Sequence, residues 1–113
     1  MQKLTLNRAK VATKKQSVNM PSKNWTIHTR FVELVEEVGE LANAIQTDEG
    51  FKSKKRKKSE VTNSLCDILY EIFLIADHYD VDLDKEYPLV LEEIEDRRKS
   101  GQFSMKTSSL LLL

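Results

Sequence analysis

Glycine, proline and cysteine are scarce in this sequence, and their scarcity narrows the possible folds. Among 113 residues there are three glycines and two prolines. No stretch shows the convincing alternation of apolar and polar residues that a half-buried strand requires. We therefore expect an all-α protein. The single cysteine, Cys66, excludes an internal disulfide and fits a reducing cytoplasm. It is predicted to be a small core residue.

Long apolar runs and an excess of charge of one sign are also missing. No segment approaches the roughly 18 apolar residues of a membrane span, and residues 1–15 lack the apolar run of a signal peptide. Lysine and arginine together number 18, as do aspartate and glutamate. No global charge therefore attracts nucleic acid or a membrane. Length and composition predict one soluble, cytoplasmic domain with a modest core.

The segment from Arg30 to Ile45 carries the clearest pattern in the chain. At about 100° per residue, its apolar side chains fall on one side of a helix and its acidic side chains on the other. The acidic set is Glu33, Glu36, Glu37 and Glu40. At these spacings of three and four residues, like charges repel by roughly 0.2–0.5 kcal/mol per pair. Two interpretations stay open: a solvated acidic face, or a site for a hard cation such as Mg²⁺, which binds carboxylate oxygens.

A second long helix is predicted from about Ser59 to His78, and it is apolar on most of its sides. A chain of this length has few helices with which to cover it. We therefore expect an antiparallel bundle of about four helices that is completed by oligomerisation. A polar stripe follows this helix at spacings of seven, four and seven: Glu60, Asp67, Glu71 and His78. Buried carboxylates need a metal or a paired cation, and Arg30 is a candidate partner for Asp67 and Glu71.

The chain is predicted to have three parts. Residues 1–24 form a basic arm or a short helix, residues 25–103 the helical domain, and residues 104–113 a tail that ends in four leucines. The helical domain is expected to end in a helix from about Tyr87 to Ser100, with Pro88 in its first turn.

Local signals predict the ends of the acidic helix. Thr26 is a suitable N-cap, and Gly50 can adopt the left-handed conformation that ends a helix. Trp25, just before the helix, is predicted to anchor the preceding turn in the core.

Six of the seven residues from Lys52 to Lys58 are cationic. The simplest interpretation is a solvated loop. A second is an arm that attracts phosphate beside the acidic site. A nucleic-acid patch is the least favoured, because no aromatic residues are interleaved with the cations.

With both acidic helices placed, residues 25–103 resemble the MazG-like nucleoside triphosphate pyrophosphohydrolases. That family carries E-E-x-x-E on one helix and E-x-x-D on the next. Residues 36–40 read E-E-V-G-E and match the first motif fully. The segment from Leu65 to Tyr70 is similar to the family's L-x-D-V-L segment. The second motif departs at one position, because Ser64 stands where its glutamate is expected.

The resemblance implies roles for the acidic residues. Glu37, Glu40 and Asp67 would bind the metal. Glu36 and Glu37 would be the catalytic carboxylates, with Glu36 a further ligand or the base that activates water. Glu60 and Glu71 are candidates for the carboxylate that Ser64 replaces. Otherwise the site binds metal weakly or has lost its activity.

The implied reaction is Mg²⁺-dependent attack of water between the α- and β-phosphates of a nucleoside triphosphate, with Mn²⁺ as a possible substitute. Its products are a nucleoside monophosphate and pyrophosphate. Phosphate would be bound by Arg30, Arg97, Arg98 and Lys99, or by the Lys52–Lys58 run, and the base by Trp25 and Phe31. We expect a homodimer or homotetramer, with neither membrane nor nucleic acid as a partner. The alternative is a catalytically silent helical bundle of the same family that binds nucleotide or a protein partner.

Overall fold

The computed structural model describes residues 3–103, and these residues form α-helices and no strands. The helices are α1 (Leu6–Ser17), α2 (Ile27–Asp48), α3 (Val61–His78) and α4 (Leu83–Lys99). Short 3₁₀ turns lie at Pro21–Asn24 and Lys54–Arg56. The prediction of an all-α fold with about four helices is confirmed, while oligomerisation stays a prediction. The tail, residues 104–113, lies outside the described residues.

Helix α2 begins and ends at the predicted residues. The Thr26 hydroxyl accepts a hydrogen bond from the Thr29 N–H at 3.2 Å and so caps the first turn. At the other end, Gly50 has a φ of 83°, the left-handed conformation that suits glycine. The N–H groups of Phe51 and Lys52 then both donate to the Gln46 carbonyl, at 2.8 and 3.1 Å. These bonds fold the chain back toward α2 as it leaves the helix.

Helix α4 begins earlier than the predicted Tyr87, so the prediction that Pro88 lies in its first turn is wrong. The Asp82 side chain accepts a hydrogen bond from the Lys85 N–H at 3.1 Å, which starts the helix at Leu83. Pro88 therefore lies inside the helix rather than in its first turn. The helix ends before Gly101, whose φ is 81°.

The chain divides into two compact units, the first ending at Val81 and the second beginning at Asp82 with α4. In the first unit, α3 packs against both α1 and α2. Helices α2 and α3 are antiparallel, because Arg30 near the start of α2 pairs with Glu71 in the second half of α3, whereas Asn43 near the end of α2 is bonded to Lys58 just before α3. The N-terminal segment is thus a helix bonded to α3, and its Gln16 side chain accepts a hydrogen bond from the Tyr70 hydroxyl at 2.7 Å.

Short side chains fill the tightest part of the first unit. Ala44 and Ser64 are fully buried, and Phe73 and Leu74 supply the larger apolar groups of the core. Many other apolar side chains on α2 and α3 are exposed, and α1 and α2 leave part of the apolar surface of α3 uncovered. None of the described helices has the length and apolar composition needed to span a membrane.

Two predicted core residues lie at the surface instead. Trp25 is 44% exposed, because its ring packs against the Arg30 guanidinium, 5.1 Å from the ring centroid, rather than entering the apolar core. Cys66 is exposed as well. Helices α1 and α2 cover only part of the circumference of α3, and Cys66 lies outside the part they cover.

Candidate metal centre

Three carboxylates from α2 and α3 converge where the two helices pack together. Glu37 and Glu40 lie three residues apart on α2 and so share a face, and Asp67 faces them from α3. One oxygen from each carboxylate lies within 4.8 Å of the other two. Three negative charges at this separation repel one another unless a cation lies between them. Oxygen ligands from carboxylates are those that Mg²⁺ and similar hard cations prefer.

Glu37 is the least solvated member of this cluster. Its Oε2 atom is buried and has no hydrogen-bond partner among the described residues. The pKa of Glu37 is raised from 4.5 to about 7, first by burial, then by a hydrogen bond with Glu33 and by the charges of Glu40 and Asp67. A buried acceptor without a donor is unfavourable. A cation among the three carboxylates would satisfy this oxygen and favour the ionised form.

The structure does not bring Glu60 and Glu71 into the cluster. The Glu60 carboxylate accepts a hydrogen bond from Lys57 Nζ at 2.8 Å. The Glu71 carboxylate pairs with Arg30 Nη1 at 3.3 Å. The pairing with arginine that the sequence left open therefore applies to Glu71, whereas Asp67 lies with the glutamates of α2. Metal binding by Glu60 and Glu71 stays a prediction, and this geometry does not favour it.

Arg30 is held on several sides. It is buried, with 8% of its surface exposed, and its Nη2 atom also donates to the Ser22 carbonyl at 3.1 Å. Burial raises the pKa of Glu71, and the charge and hydrogen bonds of Arg30 offset part of this rise. A phosphate would have to compete with Glu71 for Arg30. This arrangement therefore does not favour the predicted role of Arg30 in phosphate binding.

Ser64 occupies the position where the resemblance led us to expect a carboxylate. The residue is fully buried, and its hydroxyl is hydrogen-bonded to the Ser59 hydroxyl. It lies three residues before Asp67, on the same side of α3. The cluster therefore contains three carboxylates, with a hydroxyl one turn away on α3. Glu60 rather than Ser59 occupies the N-cap position of α3, and its side chain accepts no capping hydrogen bond.

A pocket of about 290 Å³ borders the cluster at Glu37 and Asp67. We call it the aromatic pocket, since Trp25 and Tyr70 both line it together with charged residues of α2 and α3. Of the two predicted base-binding residues, Trp25 lies here. Phe31 instead lines a separate pocket of about 200 Å³, with Ile75 and Tyr79 among its neighbours.

Sequence reasoning missed Tyr70, and it placed Glu33 in the acidic set without assigning it a role of its own. Tyr70 lies three residues after Asp67 on α3, and Glu33 lies four residues before Glu37 on α2. Both spacings place the residue on the same helix face as a predicted ligand. A search along these faces would therefore have found both residues.

A second pocket, of about 440 Å³, borders the cluster at Glu40. We call it the lysine pocket, and its lining residues are Glu36, Gly39, Glu40, Asn43, Lys52 and Lys58. Two cations of the Lys52–Lys58 run thus lie beside a predicted metal ligand. Glu36 is not part of the three-carboxylate cluster, and it is exposed at the edge of this pocket.

The remaining predicted phosphate ligands lie in the second unit. Arg97, Arg98 and Lys99 form the last turn of α4. Arg98 pairs with Glu95, and the Arg97 side chain donates to Gln102 Oε1 at 2.6 Å and packs over the Phe103 ring. Phosphate binding by these three cations stays a prediction.

The fold and the cluster together define an all-α protein with a carboxylate site between two antiparallel helices. The family model of the MazG nucleotide pyrophosphohydrolase domain matches residues 26–101, which is more than half of the chain. The chain belongs to this family, and the resemblance is confirmed. The family acts on nucleotides and generally uses a divalent metal. Comparisons with curated proteins and with solved structures give no match.

Proposed function

We propose that this protein is a Mg²⁺-dependent nucleoside triphosphate pyrophosphohydrolase that releases nucleoside monophosphate and pyrophosphate, with Mn²⁺ as an alternative metal. The observation that carries this proposal is the convergence of Glu37, Glu40 and Asp67 within 4.8 Å, in a chain of a nucleotide pyrophosphohydrolase family. The exposed, unpaired Cys66 is compatible with the cytoplasmic location that we also propose.

The three carboxylates fit a divalent cation. They supply oxygen ligands from two packed helices, and the buried Glu37 Oε2 lacks a donor among the described residues. Glu37, Glu40 and Asp67 would hold the cation between α2 and α3. When bound, the metal would neutralise charge on the triphosphate and lower the pKa of a water molecule.

We assign Glu36 as the base that accepts a proton from the attacking water. A carboxylate that binds the cation is held in its ionised form, so Glu37 would not keep a pKa near 7 in the loaded site. Glu36 lies outside the three-carboxylate cluster and lines the lysine pocket next to Glu40. It therefore stays available to accept a proton.

The nucleoside is assigned to the aromatic pocket. Trp25 packs one part of its ring against Arg30, yet 44% of the residue remains exposed. An exposed aromatic ring can stack against a base, and the Glu33 carboxylate in the same pocket can accept hydrogen bonds from it. The pocket borders the cluster at Glu37 and Asp67, which suits a ligand whose phosphates reach the cation.

The alternative is a catalytically silent protein that binds nucleotide or a protein partner through the same surfaces. Ser64 is the observation that favours it, because a buried hydroxyl replaces the fourth carboxylate of the family motif. Ser64→Glu separates the two. A large gain in Mg²⁺ affinity and activity would show an eroded site, whereas no gain in a folded variant would mean that other residues fill this role.

The direct test is pyrophosphate release from a panel of ribo- and deoxyribonucleoside triphosphates, with and without Mg²⁺. We expect release that requires Mg²⁺ and is lost in Glu40→Ala. Glu49→Ala is the matched control, because Glu49 is an exposed glutamate at the end of the same helix and outside both pockets. Release that persists in Glu40→Ala would overturn the proposed site. Silence of the folded protein across the panel would favour the alternative.

A further inference from the structure

Both ends of the basic loop, which we define as Lys52–Lys58, are bonded to the last turns of α2. The Lys52 N–H donates to the Gln46 carbonyl at 3.1 Å, and the Lys58 N–H donates to Asn43 Oδ1 at 3.1 Å. Asn43 and Gln46 are three residues apart on α2, so the two ends of the loop reach neighbouring turns of one helix. The exposed 3₁₀ turn Lys54–Arg56 lies between them. The loop is therefore an attached element rather than only a solvated connection.

Lys57 attaches the loop a third time. Its ammonium group donates to Asp48 Oδ1 at 2.7 Å and to Glu60 Oε2 at 2.8 Å. Asp48 is the last residue of α2, and Glu60 occupies the N-cap position of α3. Lys57 thus joins the two helices that carry the metal cluster. Only 22% of its side chain is exposed, so it is engaged by these carboxylates rather than directed at a ligand.

These attachments place Lys52 and Lys58 in the lysine pocket beside Glu36 and Glu40. The pocket has room for a ligand beside Gly39 on the surface of α2, because a Cβ added to this glycine would meet no atom within 4 Å. An anion in this pocket would lie between two ammonium groups and a carboxylate of the metal cluster. A polyphosphate fits this arrangement, since it can bind ammonium groups and a metal ion at the same time.

We propose that Lys52 and Lys58 bind the terminal phosphates of the substrate, the part that leaves as pyrophosphate, and that Lys57 and Asn43 position them. The inference rests on the proposed function and specifies the orientation of the substrate. The aromatic pocket borders the cluster at Glu37 and Asp67, and the lysine pocket borders it at Glu40. A nucleotide with its base beside Trp25 and its scissile bond at the cluster therefore directs its terminal phosphates toward the lysines.

The test compares two double variants of the same loop. Lys52→Ala/Lys58→Ala removes the two cations that line the pocket, and Lys54→Ala/Lys55→Ala removes two exposed cations that do not. Both change the net charge equally, so the comparison separates local binding from general attraction. The measurements are kcat, KM, and calorimetric binding of pyrophosphate in the presence of Mg²⁺. We expect the first variant to lower kcat/KM and pyrophosphate affinity by about tenfold or more, and the second to resemble the wild type.

The outcomes distinguish this inference from the proposed function. If the wild type hydrolyses nucleotides in a Glu40-dependent way and both loop variants behave alike, the inference is wrong and the hydrolase stands. If the wild type hydrolyses nothing but binds pyrophosphate through Lys52 and Lys58, the hydrolase is wrong and the polyphosphate site stands.

If Lys57 only positions the two pocket lysines, its loss should change KM and pyrophosphate affinity but not kcat. Lys57→Met removes both ion pairs, and we expect it to raise KM and weaken pyrophosphate binding several-fold while kcat stays near the wild-type value. Lys57→Arg can still reach Asp48 and Glu60 and should restore KM. Circular dichroism and chemical denaturation confirm that each variant is folded. Wild-type pyrophosphate affinity in folded Lys57→Met would overturn the positioning role.

Discussion

Arg30 and Glu71 form an ion pair inside the interface between α2 and α3. Arg30 Nη1 lies 3.3 and 3.4 Å from the two oxygens of the Glu71 carboxylate. The two side chains are only 10% and 6% exposed. Both groups lose hydration on burial, so the pair adds little net stability, but each partner depends strongly on the other.

We therefore expect Glu71→Ala to lower the free energy of unfolding by about 3–5 kcal/mol, because it leaves the buried Arg30 charge unpaired. The double variant Arg30→Met/Glu71→Leu, which removes both charges, should recover most of this loss. Urea denaturation of the metal-free protein measures both. If Glu71→Ala keeps its stability but loses Mg²⁺ affinity, Glu71 acts as a metal ligand rather than as the partner of Arg30.

The pKa of Glu37 predicts how stability depends on pH. Because this pKa is raised from 4.5 to about 7, the folded protein binds the proton more tightly than the unfolded chain does. The stabilisation from Glu37 is therefore complete below pH 4.5 and is lost as the pH rises to about 7. Without metal, Glu37→Gln should match the wild type below pH 4.5 and be more stable above pH 7.

Addition of Mg²⁺ provides the control for this pH effect. A cation that binds only the folded state stabilises it by mass action. Above pH 7 we therefore expect Mg²⁺ to raise the unfolding temperature of the wild type but not that of Glu37→Gln. Equal stabilisation of both proteins would contradict a ligand role for Glu37.

The ends of α2 were predictable because they depend on nearby atoms. Thr26 needs only the N–H three residues ahead, and Gly50 only its own φ. The start of α4 was mispredicted because two local signals compete. Asp82 supplies a side-chain acceptor that begins the helix, and Pro88 is compatible with a position inside it. The exposure of Trp25 depends on its contact with Arg30, which the apolar pattern does not contain.

The candidate site, too, could be predicted from the sequence only in part. The resemblance to the family motif, rather than helical spacing alone, led to the prediction that Glu37, Glu40 and Asp67 share a site, and one oxygen of each lies within 4.8 Å of the other two. The partner of Glu71 depends on the register between α2 and α3. Helical periodicity gives the face of a residue but not this register. Arg30, which is distant in sequence, pairs with Glu71, whereas Glu60 pairs with Lys57, only three residues before it.

We expect the substitution Gly39→Ala to raise stability and to weaken substrate binding. A glycine inside a helix costs about 0.5–1 kcal/mol relative to alanine, and a Cβ at Gly39 would meet no atom within 4 Å. We expect Gly39→Ala to raise the free energy of unfolding by about this amount. Because the added methyl group enters the lysine pocket, KM should also rise. Denaturation and steady-state kinetics test the two effects separately, and a loss of stability would show that the space above Gly39 is occupied in solution.

Helices α2 and α3 each carry a row of exposed apolar side chains. Along each row the spacing is four, three and seven residues, which is that of a helix-packing seam. On α2 the row is Phe31, Val35, Val38 and Ile45, and on α3 it is Leu65, Leu69 and Ile72, continued by Tyr79 at the C-cap position. These side chains are 39–63% exposed in the single chain. Two packed helices that each carry such a seam are suited to a second pair of the same kind, which would complete a four-helix bundle.

We therefore expect the protein to form a homodimer or homotetramer that Leu69→Asp disrupts. Val11→Asp is the matched control, because Val11 is 62% exposed in the middle of α1 and belongs to neither seam. Light scattering after size-exclusion chromatography should give a multiple of the 13.1 kDa chain mass for the wild type and Val11→Asp, and a lower mass for Leu69→Asp. Circular dichroism should show similar helix content in all three. A wild-type protein of 13.1 kDa would show that the seams are not covered by a second copy of this chain.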